Sequence, residues 1–340
     1  MSPEVHGTIL GGDPERIRCA YEKWQAQPID QDWSAENGAE ENFSEFQTTL
    51  AKAVSVTGPG TFFGRAQRTL VFEPTRRAGW WFKRRELPGS LPIQVSVNNI
   101  WTIVRNIVLC SGSPHNYMRM VEHIVALRVG LGLDNVMIRV DSGDPPLFDR
   151  SSMDLVEAVE SAGMVAQRAP AVWLTVKEPV TIGGHNGSFL TFLPDEGNAR
   201  KLTVDCAVDF PTAIGRQRLR FPVNASSFRH GAQARTNTSL WMMLYCKSIG
   251  MLFADVRHLG YTTNNILVAG PRRYYNQPRL FHNGKSLEAV WHRAALDLLA
   301  AVALIDRGRL TGTIISYKSG HALDVAMIRE LYERDLLVEA

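Results

Sequence analysis

Met120-Val121-Glu122-His123-Ile124-Val125-Ala126-Leu127 is the stretch on which the reading of the fold turns. Its apolar residues predict a buried helix over residues 119–128, closed by Gly130. Yet the same stretch sets a carboxylate beside an imidazole, and two polar groups in an apolar helix are costly unless something satisfies them. Hydrogen-bonding partners in the core would do so. A metal would too, since neutral imidazole is a good zinc ligand and a neighbouring carboxylate that stays off the metal can take a proton from water.

Outward from that helix, residues 136–140 read as a strand and 152–161 as a second helix. Upstream, strands are expected at 54–56 and 69–72, separated by the turn-forming Gly58-Pro59-Gly60. Beyond residue 170 the order repeats, with strands near 172–176, 189–193, 202–208 and 219–223, then helices near 240–249 and 287–305. A strand over 313–317 and a helix over 321–334 close the chain. Each half thus contains helix, strand, helix, and the first helix of each unit carries one histidine, His123 or His292. This predicts an α+β chain of two similar domains, 46–166 and 167–340, whose helices pack on one another. Residues 1–45, rich in Gly, Pro and acids with one amphipathic stretch near 16–25, read as a divergent N-terminal extension.

Composition narrows the class. A chain of 340 residues, 45% hydrophobic and 21% charged, has the makings of an ordinary globular protein of one or two domains. The 37 basic and 34 acidic residues leave a net charge of +3, too weak to argue for general nucleic-acid binding, although residues 65–85 gather seven positive charges. Four scattered cysteines without a C-x-x-C pair point to a reducing, cytoplasmic setting. No signal-peptide pattern opens the chain, and no apolar run approaches the roughly 20 residues of a membrane span. The chain is expected to act as a monomer.

The familiar nucleotide and serine-hydrolase motifs are absent: there is no G-x-x-x-x-G-K, no G-x-G-x-x-G after a strand and no G-x-S-x-G. Metal-assisted hydrolysis is the sharper option left. His292, flanked by Val290, Ala294, Ala295 and Leu296, is a second histidine on an apolar helix. His321 follows Ser319-Gly320 at the start of the last helix, where it could hand a proton to a departing amine or simply serve as a helix-terminal residue.

The run 120–127, continued by Gly130-Leu131-Gly132-Leu133-Asp134-Asn135, resembles the signature of the UDP-3-O-acyl-N-acetylglucosamine deacetylases. Further matches are Gln47-Thr48-Thr49-Leu50, Ala234-Arg235-Thr236, Glu288-Ala289-Val290-Trp291-His292 and Tyr317-Lys318-Ser319-Gly320-His321, in the family's order. The resemblance implies a cytoplasmic zinc hydrolase of lipid A synthesis. Its two domains would each layer a small, mostly antiparallel sheet against helices, with the active site between them. It also implies that His123 and His292 hold Zn2+, that Glu122 is the general base and His321 the general acid, and that Thr236 steadies the oxyanion. The substrate would be an acylated UDP-amino sugar, its chain in an apolar passage and its diphosphate near a cation such as Arg293.

The chain departs from the family pattern at the third ligand. The family's aspartate stands four residues after the second histidine, where this chain has Leu296; Asp297 comes one later. On a regular helix five residues turn about 140° and four about 40°, so Asp297 shares the face only if a π-bulge intervenes. An aspartate one turn further on, which would orient the acid histidine, is replaced by Ala301, and the family's lysine after the second histidine is Arg293. The rival expectation is therefore a descendant that has lost zinc and binds a sugar nucleotide or acyl chain without turnover. A deacetylase for a different acylated amino sugar is a third.

Overall fold

In the computed structural model, the residues described are 7–37, 43–104, 106–197, 199–247 and 259–340. Two sheets face each other across a layer of helices, an α+β architecture. The first has the strand order Val54–Pro59, Gln67–Pro74, Val136–Val140, Trp80–Arg84, Ile93–Gln94, antiparallel throughout except where Val136–Val140 runs parallel to Trp80–Arg84. Its period-two alternation turns Leu70, Phe72, Trp80, Phe82, Val136, Ile138 and Val140 inward, all of them buried.

The second sheet has seven strands in the order Thr8–Gly11, Val180–Gly183, Phe189–Leu193, Gly312–Tyr317, Leu202–Phe210, Gly215–Pro222, Gln31–Asp32. Its strands are apolar on both faces, so both must be covered. Leu190, Phe192, Val204 and Ile314 face the central helices, whereas Phe189, Ala207, Ile315 and Tyr317 face the other way and form a separate cluster with Ile17, Tyr21 and Trp24.

That second cover is the N-terminal segment, read above as an extension. Helix Pro14–Gln25, capped by the Asp13 side chain, lies on the outer face of the seven-stranded sheet, and the strands before and after it form both sheet edges. Trp24 donates its Nε1–H to Asp205 (3.2 Å). Arg218 stacks over the Trp24 ring, pairs with Asp205 (2.9 Å) and donates to the carbonyl oxygens of Trp24 and Gln27. Further on, Trp33 meets Trp291 edge to face and Gln31 accepts from the Trp291 indole, so the segment also braces the helix that carries His292.

Helix Glu122–Gly130 lies between the sheets against one continuous helical rod, Glu288–Trp291, His292–Leu298 and Leu299–Val302. The rod is buried almost all round, as a helix apolar on every side must be. Helix Ala225–Gly231 approaches both helix and rod closely because of glycine: a Cβ on Gly130 would lie 2.1 Å from the Phe228 ring, and one on Gly231 2.5 Å from the Ala295 Cβ. Residues 163–170, where the halves were expected to part, form strand Met164–Pro170, paired antiparallel with Phe46–Leu50. Of the helix expected over 240–249, Leu240–Lys247 is helical and the last two residues lie outside the described ones.

Replacing Trp24 by Ala removes a buried ring and its bond to Asp205. It should destabilise the protein by about 3 kcal/mol, measured by denaturant unfolding; an unchanged midpoint would mean that the N-terminal helix is not part of the folded body.

Candidate active site

The helix expected from residue 119 starts at Glu122, because Met120 stands in the left-handed region (φ 49°) and breaks the turn before it. Glu122 therefore occupies the first turn, where the helix dipole favours a carboxylate. It is buried; Oε1 accepts from the Ile107 N–H, and Oε2 has no hydrogen-bond partner among the described residues. Burial raises the Glu122 pKa, with the nearby His321 pulling the other way.

One position on, His123 points its Nε2 at the Nε2 of His292, 3.2 Å away, and the Thr236 hydroxyl sits between them, 2.9 Å from His292 and 3.3 Å from His123. Burial, aided by His292, lowers the His123 pKa to about 3, so this imidazole is neutral at any ordinary pH. On its other side Ser152 lies 3.4 Å from Nδ1 and donates to the His123 carbonyl. Sequence reading missed Ser152: it stands 29 residues away, and only the packing of helix Met153–Ala162 brings it here.

The rod is a π-helix over His292–Leu298. Its i to i+5 repeat stacks residues five apart, so Asp297 comes round to the His292 side, with Oδ2 3.5 Å from His292 Nδ1. The other carboxylate oxygen is 3.6 Å from His321 Nε2, which lies equally far from Glu122 Oε1. Burial works to raise the Asp297 pKa, but His292, His321 and Arg293 together hold it well below the usual carboxylate range. For His321 the balance is reversed: burial works to lower its pKa, and Asp297, Glu122 and Asp324 raise it more.

Arg293, expected on a substrate diphosphate, is buried behind the site. It donates through Nε to the Ser319 carbonyl (2.9 Å) and through Nη2 to the Ser319 hydroxyl (2.8 Å) and to Asp324 (2.6 Å). Ser316 bonds Ser319 in turn, and Lys318 is held in the left-handed region (φ 53°) with its N–H on Ala207. Because Ser319 and Asp324 flank His321, the guanidinium clamps the loop that delivers this histidine.

These groups line an open cleft of about 620 Å³ whose other walls are apolar, including Phe62, Met120, Phe210, Met242, Tyr245 and Tyr261. A second cleft of similar volume meets it at His321 and is lined by His185, Asn186 and Lys318. Among the described residues, no three His, Cys, Asp or Glu side chains are arrayed to hold an ion. The two histidines come nearest to it. A tetrahedral zinc with Zn–N bonds near 2.05 Å separates two ligand nitrogens by about 3.3 Å, and the observed 3.2 Å fits. Asp297 meets His292 at the opposite ring nitrogen, as the carboxylates that orient metal-binding imidazoles do.

A buried acid beside a pair of facing imidazoles, with a third histidine 3.6 Å from that acid, is the equipment of a hydrolase. The chain belongs to the family of UDP-3-O-acyl-N-acetylglucosamine deacetylases: that family's model, described as UDP-3-O-acyl N-acetylglycosamine deacetylase, matches residues 47–333. Deacetylases of that name from Trichormus variabilis and Saccharophagus degradans are each 28% identical to it, over 84% and 85% of this chain and 98% and 91% of theirs. The one from Neisseria gonorrhoeae is 28% identical over 83% of this chain and 89% of its own. No helix among the described residues is long and apolar enough to cross a membrane.

Asp297→Asn removes a carboxylate that faces His321 and should lower the His321 pKa, followed by NMR titration of the metal-free protein. Asp324→Ala leaves Arg293 charged, buried and without its carboxylate, and should cost about 3–5 kcal/mol of stability in chemical denaturation; wild-type stability would remove the clamp.

Proposed function

We propose that this protein removes the acetyl group from the acetamide of UDP-3-O-acyl-N-acetylglucosamine, releasing acetate, as a zinc-dependent hydrolase of lipid A synthesis. The observation that carries the reading is the 3.2 Å approach of His123 Nε2 to His292 Nε2 beside a buried Glu122. Two facing imidazoles suit a shared cation, and burial keeps His123 unprotonated and ready to bind one.

His123 and His292 are the two nitrogen ligands in this reading, with Asp297 as the oxygen donor. Zinc held there would supply Lewis acidity, polarising the acetamide carbonyl and easing deprotonation of water. Glu122 then takes the proton from the attacking water. Its free Oε2 is the basic atom, and its raised pKa brings it nearer the working range of a general base. Thr236 donates its hydroxyl hydrogen to the carbonyl oxygen as negative charge develops on it. His321, kept protonated by Asp297 and Glu122, gives its proton to the amine nitrogen as the C–N bond breaks.

The apolar walls at Phe62, Phe210, Met242 and Tyr261 suit the acyl chain. With Arg293 taken up by Ser319 and Asp324, Lys318 in the adjoining cleft is the cation better placed for the diphosphate. The clamp also answers the loss represented by Ala301: where no aspartate follows on the rod to aim the acid histidine, Arg293 and Asp324 fix the loop instead.

One observation favours a second reading, the family descendant that binds without turnover. Asp297 contacts His292 at Nδ1, so the third ligand must turn its carboxylate to reach an ion shared by the Nε2 atoms. Metal analysis with an acetate-release assay separates the two. The hydrolase reading expects about one zinc per chain, lost in His123→Ala, and a turnover that falls about 10²–10⁴-fold in Glu122→Gln with zinc retained. A chain that purifies without zinc and is indifferent to Glu122→Gln would be the binding protein.

A further inference from the structure

The cleft opens onto a surface that the chemistry does not use. Three segments rim its mouth. Gly260 donates its N–H to the Thr61 carbonyl (2.8 Å), and a Cβ there would lie 2.7 Å from the Gly60 oxygen, so the excursion after Thr236 rests on the 60–64 loop. In that excursion the parallel strands Thr236–Ser239 and Ile266–Ala269 pair Ser239 with Ala269, which sets the start of helix Leu240–Lys247 beside the turn at 270–273.

This eight-residue helix is apolar on both sides. Met243 faces in and packs with Ile266 and Val268. Trp241 is 76% exposed and Met242 54%, and Leu244 and Tyr245 are also open to solvent, as is Phe63 across the rim. Met242 and Tyr245 line the cleft as well, so the exposed patch runs without interruption into the pocket that holds Glu122 and His123. Contiguous apolar surface of this kind marks an interaction site.

Charge says what covers it. Segments 60–68, 236–247 and 259–279 contain no Asp or Glu, while Arg65, Arg272 and Arg273 are all exposed on them. A second copy of the chain would set these arginines against one another in a two-fold contact, with no acid on these three segments to answer them. Exposed tryptophan and tyrosine flanked by arginine suit the headgroup level of an anionic bilayer, where each cation near the surface adds about 1 kcal/mol. We propose that this rim docks the protein reversibly on an anionic lipid surface, with the mouth of the cleft turned to the lipid. The proposal stands on the surface alone and does not rest on the deacetylase reading.

The test is co-sedimentation of the full chain with vesicles of phosphatidylcholine, alone or with about a third phosphatidylglycerol, across a salt series. The expected result is at least about tenfold tighter binding to the anionic vesicles, weakening as salt rises. Trp241→Ser, and the double variant Arg272→Glu with Arg273→Glu, should each lower that affinity about tenfold or more while unfolding at the wild-type temperature. Equal binding to both vesicles, no binding to either, or binding that the folded variants leave unchanged would overturn the proposal. So would a dimer in sedimentation equilibrium that Trp241→Ser dissociates, because the patch would then belong to a second copy. None of these outcomes depends on whether the protein binds zinc or releases acetate.

Discussion

Everything in this molecule is arranged around the crossing of helix Glu122–Gly130 with the buried rod Glu288–Val302. Helix Ala225–Gly231 closes on both of them, because glycine at 130 and 231 leaves room for Phe228 and Ala295, and the crossing is dry because nearly every side chain of the rod is buried. Two imidazoles are thereby pressed to within 3.2 Å in an apolar setting, where burial keeps His123 neutral and each ring needs a partner. The sheets on either side hold that crossing in place, and the N-terminal segment reaches the rod again through Gln31 and Trp33 on Trp291.

Charged groups are buried around this core in oppositely charged pairs. Arg235 pairs with Glu288 at the head of the rod, Arg218 with Asp205 under the N-terminal helix, and Arg293 with Asp324 behind His321. Such pairs contribute little net stability, but losing one partner strands a charge, so they hold the chain to one geometry. At His321 that geometry is chemical as well as structural, since the same clamp fixes the distance of the ring from Glu122 and Asp297.

Much of this was legible in the residues. The strand Val136–Val140 falls where alternation put it, and Phe189–Leu193 and Gly312–Tyr317 fall at or within a residue of theirs. The π-segment was inferable from the family resemblance, which sets an aspartate four residues after the second histidine where this chain offers Asp297 five away. What escaped depends on backbone or distance. The helix start at Glu122 is set by the φ of Met120, which an apolar pattern does not carry. Helix Ala225–Gly231 was missed although Asn224 and Ser227 spell its capping box. Arg293 reads as a free cation until the fold brings Ser319 and Asp324 to it. The role of the first residues was hidden in plain view: Phe189–Leu193 and Gly312–Tyr317 are apolar on both faces, which already demanded a layer the rest of the chain does not supply.

That layer has a temporal side. Thr8–Gly11 and Gln31–Asp32 are made well before their neighbours in the sheet, residues 180–182 and 219–220. These strands have no partner to join until the long stretch between has been made. When they do, they cover the outer backbone of Val180–Gly183 and Gly215–Pro222 and become the short edges of the sheet, the kind that resists pairing with another chain. The sheet thus closes through pairings between residues far apart in the chain, at its centre as well as at its margins, which makes its completion a late event in folding.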